Sequence, residues 1–93
     1  MSYISFYELS PRFDSRKSFY GKAQIIEIES DTYLKSYDTI VCGIINGEFR
    51  RFWSGWSNTT GRHVNEFSRQ FRRIPIGKKE WDAMTVYACE VNV

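Results

Sequence analysis

Two hydroxyls and an imidazole, Thr59, Thr60 and His63, fall within about one helical turn of each other. At that spacing a base can accept a nucleophile's proton, but an activated nucleophile also needs its base oriented by a third group. Asp38 is the one acid that invites consideration, and nothing in the sequence brings it to His63. A histidine in a first helical turn more simply helps to cap backbone groups or packs on Phe67, and that reading is adopted. The chain has no phosphate loop, dinucleotide fingerprint, paired-carboxylate motif or metal-binding helix motif. No catalytic residue is assigned, and the expectation is a protein that is not an enzyme.

The remaining chemistry is that of binding. From Arg50 to Lys79 there are eight Lys/Arg against the single acid Glu66, a local charge of +7, while five bases and ten acids give −5 elsewhere. The formal net charge of +2 hides this polarity, which suits a basic surface meeting phosphate or an acidic protein patch. Arg50, Trp56, Arg62, Arg69, Arg72 and Arg73 are the candidate contacts for a protein partner, and Lys78 and Lys79 join them in the alternative reading, direct nucleic-acid binding. Basic and aromatic residues also interleave from Arg12 to Lys22 (RFDSRKSFYGK), a pattern that can bind nucleic acid and that equally describes a loop pinned to the core by its aromatics. The loop reading is preferred. Aromatics make up 17% of the chain, enough to enlarge a small core and to anchor a binding surface.

Cys42 and Cys89 lie far apart in apolar, strand-like runs and are expected to be free buried thiols. They lack metal-ligand spacing, one histidine cannot complete a zinc site with them, and neither a metal nor a cofactor is expected. No window reaches the length of a membrane span, and the start MSYISFYELS lacks a basic-then-apolar signal pattern. A cytoplasmic protein that does not engage a membrane is the expectation.

These residues need elements to position them, and 93 residues allow one domain spanning 1–93. Tyr3, Phe6, Tyr7 and Leu9 suggest a leading strand ended by Ser10-Pro11. Ala23 to Glu29 reads as a strand with Ile26 and Ile28 inward, and Ser30-Asp31 as the tip of a first hairpin whose second arm lies within the strand-like run Thr32 to Ile45. Asn46-Gly47 predicts a two-residue turn in which both residues take positive φ. That register sets Ile45 opposite Glu48, Ile44 opposite Phe49, Cys42 opposite Arg51 and Ile40 opposite Trp53. One face then carries Ile40, Cys42, Ile44, Phe49 and Trp53, with Arg51 among them, so either an edge or a bulge has to accommodate Arg51.

Asn58, Thr59 and Thr60 are candidate caps for a helix from about Thr60 to Arg72, whose buried stripe is Val64, Phe67 and Phe71 with Ile74 beyond. Arg62, Glu66, Arg69, Arg72 and Arg73 fall away from that stripe. Ile74-Pro75 ends the helix. KKEWDAM suggests a short second helix with Trp81 and Met84 inward, and Thr85 to Val91 a closing strand. The predicted fold class is α+β: a small antiparallel sheet of two hairpins and a C-terminal strand, packed on one main helix and a short one.

Ser36, Tyr37, Thr39 and Val41, followed by Trp56, Ser57, Thr59, Thr60, His63, Glu66, Phe67 and Gln70, form a pattern of a Ser-Tyr-x-Thr-x-Val strand and a Ser-x-Thr-Thr-x-x-His segment. In this pattern the chain resembles small proteins carried by phages and mobile elements of Firmicute-type bacteria. The resemblance covers a little over a third of the chain. It implies an accessory protein in the cytoplasm of a bacterial host, of the kind that inhibits a host defence or nucleic-acid machine, as anti-CRISPR proteins do, by docking on a host protein. Monomer and homodimer are both compatible with the sequence.

Overall fold

A computed structural model describes residues 4–13 and 22–91. Five strands, β1 (Ile4–Glu8), β2 (Ala23–Ile28), β3 (Asp31–Ser36), β4 (Thr39–Ile45) and β5 (Glu48–Arg51), form one antiparallel sheet in the order β1-β2-β3-β4-β5. The main helix α1 (Asn58–Phe71) packs on one face, and the short helix α2 (Lys78–Asp82) follows. The fold class is therefore α+β, as expected. No helix among the described residues is long and apolar enough to cross a membrane. The leading strand is β1, with Tyr3 outside the described residues, and the expected loop Arg12–Lys22 lies outside them from Asp14 to Gly21.

The β4–β5 hairpin has the turn its sequence dictates: Asn46 and Gly47 have φ of 53° and 80°, and Ile45, Ile44 and Cys42 pair with Glu48, Phe49 and Arg51. Trp53 does not face Ile40, because β5 ends at Arg51. The strand-like run Thr32 to Ile45 is two strands, turned at Tyr37, whose φ is 56°. A bulge lies between β3 and β4: Leu34 pairs with Cys42 and Lys35 with Ile40, leaving Val41 unpaired. An extra residue in one strand rotates its neighbours. Val41 and Cys42 therefore both enter the core, whereas Ile40 faces away with Lys35.

In β2 the expected inward pair was Ile26 and Ile28. The core beneath α1 instead takes Ala23 and Ile25, together with Leu9, Leu34, Val64, Phe67, Ile76 and Trp81. Ile26, also fully buried, lies on the opposite face beside Tyr33, so this strand is covered on both sides. On that far face Tyr87, Ala88 and Glu90 share a groove with Tyr33, Ile45 and Phe52. The closing segment makes one parallel bridge, Val86 with Arg51, and the Tyr87 amide donates to the Arg51 carbonyl at 2.8 Å, where a longer strand was expected.

Helix α1 begins two residues earlier than expected, and its cap is Ser57, whose Oγ accepts the Thr60 amide at 3.0 Å. Val64 and Phe67 are fully buried, but the stripe stops there: Phe71 is 37% and Ile74 53% exposed. Arg73, at φ 61°, turns the chain into the left-handed region and carries Ile74 off the helical face. Glu66, expected outside, is buried.

Gly61 permits the closest approach in this packing. A Cβ there would lie 2.4 Å from Trp56 Cζ2, and the Trp56 ring itself lies against Trp81, with centroids 6.0 Å apart. Alanine in a helix interior normally gains about 1 kcal/mol over glycine. Overpacking a rigid indole costs about 1–3 kcal/mol, so Gly61→Ala is expected to lower Tm rather than raise it.

Cys42 is fully buried, and burial pushes its thiol well above its ordinary value of 9.0. The unfolded chain thus loses this proton first, and the stability it confers is complete below pH 9 and declines as pH rises toward the folded value. Tyr7 and Tyr33, raised mainly by burial, add a decline of the same sign that begins near pH 10. Urea midpoints between pH 8 and 10 are expected to fall in the parent and to fall less in Cys42→Ala.

Candidate functional site

The hydroxyls and imidazole that first suggested nucleophilic chemistry do come together, with a partner the spacing did not reveal. Ser36 Oγ, at the end of β3, lies 2.8 Å from His63 Nδ1 and 3.0 Å from Thr60 Oγ1. Ser36, Thr60 and His63 are each at most 5% exposed. None of the three clefts described below is lined by them. The Ser-x-Thr-Thr-x-x-His pattern is thus a helix start in which Ser57 caps, while Thr60 and His63 tie the first turns of α1 to β3. Thr59 is half-buried and takes no part in these bonds.

The basic residues separate into groups with different surroundings. Arg51 is only 5% exposed and stays on the core face. Its guanidinium donates to the carbonyls of Trp53, Ser54 and Trp81 at 2.7–2.8 Å and lies 4.9 Å over the Trp81 ring. This resolves its place among apolar neighbours: the carbonyls of the chain after β5 satisfy it. Arg50, on the far face of the sheet, pairs with Glu48 at 3.0 Å and stacks 5.1 Å over Tyr87.

Arg72 lies 4.2 Å over Phe49, and its Nε donates to Ser68 Oγ at 3.0 Å; burial draws its pKa below the ordinary arginine value. Arg62 lines a groove of about 460 Å³ with Trp56, Asn65 and Glu80. Lys78 pairs with Asp82 at 2.6 Å, and Lys79 is exposed on α2.

Arg69 and Arg73 remain together, at the C-terminal end of α1, where Arg12 joins them. These three arginines and the rings of Tyr7, Phe13 and Phe71 line a cleft of about 670 Å³, with Gln70 and Pro75 completing it. Glu80 lines the groove at Arg62, and Glu90 lines the groove of about 290 Å³ at Tyr87, whereas among the described residues no carboxylate lines the arginine cleft. Phe13 is 53% exposed, and the Arg69 guanidinium lies 4.5 Å over its ring.

The cleft is assembled by the hidden side of α1. Glu66, 1% exposed, accepts the backbone amides of Arg12 and Phe13, each at 3.0 Å. One turn later Gln70 Nε2 donates to the Ser10 carbonyl at 2.7 Å and to Glu66 Oε2 at 2.5 Å. This i, i+4 pair grips the backbone that leaves β1 and so presents Arg12 and Phe13 beside Arg69. At the other wall, Ser68 Oγ donates to the Ile74 carbonyl at 2.5 Å, fixing the reversal that projects Arg73.

Arg12 was absent from the predicted contacts. The signal for it in the sequence is the basic-aromatic interleaving that begins at Arg12-Phe13, a pattern that equally describes a loop. The roles of Glu66 and Gln70 leave no local signal, because their partners are 53 to 60 residues away in sequence.

Residues 7–83 match the profile of a family described as a family of unknown function, DUF8033. No curated protein and no solved structure matches the chain.

Proposed function

We propose, for a chain that belongs to DUF8033, a family of unknown function, that it is a non-enzymatic binding protein whose working surface is the arginine-aromatic cleft at the end of α1. The observation that carries this reading is the convergence of Arg12, Arg69 and Arg73 on a cleft that no carboxylate lines among the described residues, whereas the grooves at Arg62 and at Tyr87 each contain one. Such a surface attracts a partner that presents negative charge. The non-enzymatic reading rests on the sealed Ser36–Thr60–His63 cluster, whose hydroxyls no substrate reaches from the clefts.

A cytoplasmic setting suits the free thiols of Cys42 and Cys89. A modulator of a host defence or nucleic-acid machine would use the cleft to occupy a site on the partner where negative charge is bound or displayed.

Heparin affinity chromatography tests the reading with a defined polyanion. The parent is expected to elute at higher salt than Arg12→Ala/Arg69→Ala/Arg73→Ala. The control Arg62→Ala/Lys78→Ala/Lys79→Ala, which loses the same formal charge, is expected to elute close to the parent. Equal shifts for the two triple variants, or a larger shift for the control, would overturn it.

A further inference from the structure

Granting that the cleft binds an anion, we infer that its ligand is single-stranded nucleic acid, with an unstacked base against Phe13 and flanking phosphates on Arg12 and Arg73. Three features of the cleft select this ligand among anions. First, the cations that line it among the described residues are all arginines, whose planar fork binds phosphate through two parallel hydrogen bonds and also stacks on rings. Second, a stack has already begun: Arg69 covers Phe13 at 4.5 Å, yet more than half of Phe13 is exposed. A nucleobase extends such a stack with a flat face of its own, whatever its sequence. Third, Tyr7 and Phe71 stand in the same cleft at 43% and 37% exposure, giving the neighbouring base a surface to lie on.

A duplex offers phosphates, but its bases are stacked inside and leave the three rings without partners. An acidic peptide offers carboxylates to the arginines and nothing planar to the rings.

The salt dependence follows from the number of arginines on phosphate. Two phosphate contacts to a single strand, at Arg12 and Arg73, give a slope of log affinity on log salt of about −1.4, so binding falls roughly 7-fold between 50 and 200 mM salt. Base stacking on one aromatic contributes about 5- to 150-fold in affinity.

The experiment is fluorescence anisotropy on the full chain with a labelled 12-nucleotide oligothymidylate, a labelled 12-base-pair duplex and a labelled oligoglutamate of similar charge. The oligothymidylate is expected to bind at least tenfold more tightly than either competitor, with a salt slope of about −1.4. Phe13→Ala, at an exposed position, is expected to weaken it about tenfold, and Arg73→Ala to reduce the slope by about 0.7.

Equal or tighter binding of duplex or oligoglutamate would overturn the inference, and so would an unchanged affinity in Phe13→Ala. In those cases the cleft would still be an anion site if heparin retention depended on Arg12, Arg69 and Arg73. Loss of that dependence removes both conclusions.

Discussion

Arg51→Met is expected to destabilise the protein by about 3–5 kcal/mol, seen as a large fall in the urea midpoint. The magnitude comes from what the guanidinium leaves behind. Methionine is close in length and fills much of the same space, so little of the loss is cavity. The carbonyls of Trp53, Ser54 and Trp81, each now accepting from Arg51 at 2.7–2.8 Å, lose a charged donor. A buried acceptor left unpaired costs about 1–3 kcal/mol, with the lower end applying where water can reach it, as it can near exposed Ser54. The neighbour Arg50 is the control. Its ion pair with Glu48 lies at the surface, and Arg50→Met should cost under about 1 kcal/mol. If the two substitutions proved equal, Arg51 would not be the clamp between β5 and the chain around α2.

Trp81→Ala is expected to cost about 3–5 kcal/mol, the range for truncating a fully buried large aromatic. Trp81 fixes three things at once. Its ring supports Trp56, its indole N–H donates to the Gly55 carbonyl at 2.8 Å, and its own carbonyl holds Arg51. Helix α2 has five residues, too few to persist alone, so loss of this anchor should also release residues 77–84. Hydrogen exchange over that segment would report the release. Because Arg51 stacks on the Trp81 ring, the double variant should cost less than the sum of the two single ones. Strict additivity would show that the two act separately.

The parts of the fold that were legible in the sequence are those whose cause is local. Asn46-Gly47 specified its turn because both residues tolerate positive φ, and the register of β4 and β5 followed from it. Val64 and Phe67 declared the buried face of α1 by spacing alone. The failures have non-local causes. The turn at Tyr37 carries no glycine or proline; that residue sits at φ 56° between the paired strands β3 and β4, its amide donating to the Lys22 carbonyl at 2.7 Å. The Val41 bulge is set by Leu34 and Lys35 across the ladder.

At the cleft, the helical arginines were visible as a basic face, but their division between Phe49, Phe13 and solvent depends on which rings the sheet and the β1 exit bring alongside. By spacing Glu66 is a surface acid, because it falls away from the stripe of Val64, Phe67 and Phe71. Its role as acceptor for the Arg12 and Phe13 amides becomes visible only once β1 lies beside β2 and delivers that backbone to α1.

The location of the working surface is tested most directly by backbone amide chemical shifts of the full chain during titration with a short heparin oligosaccharide. The shifts are expected to concentrate at Phe13, Arg69, Gln70, Phe71 and Arg73, leaving Arg50, Tyr87, Lys78 and Lys79 almost unmoved. Shifts centred on Arg62, Lys78 and Lys79, or on Arg50 and Tyr87, with the cleft residues still, would contradict it.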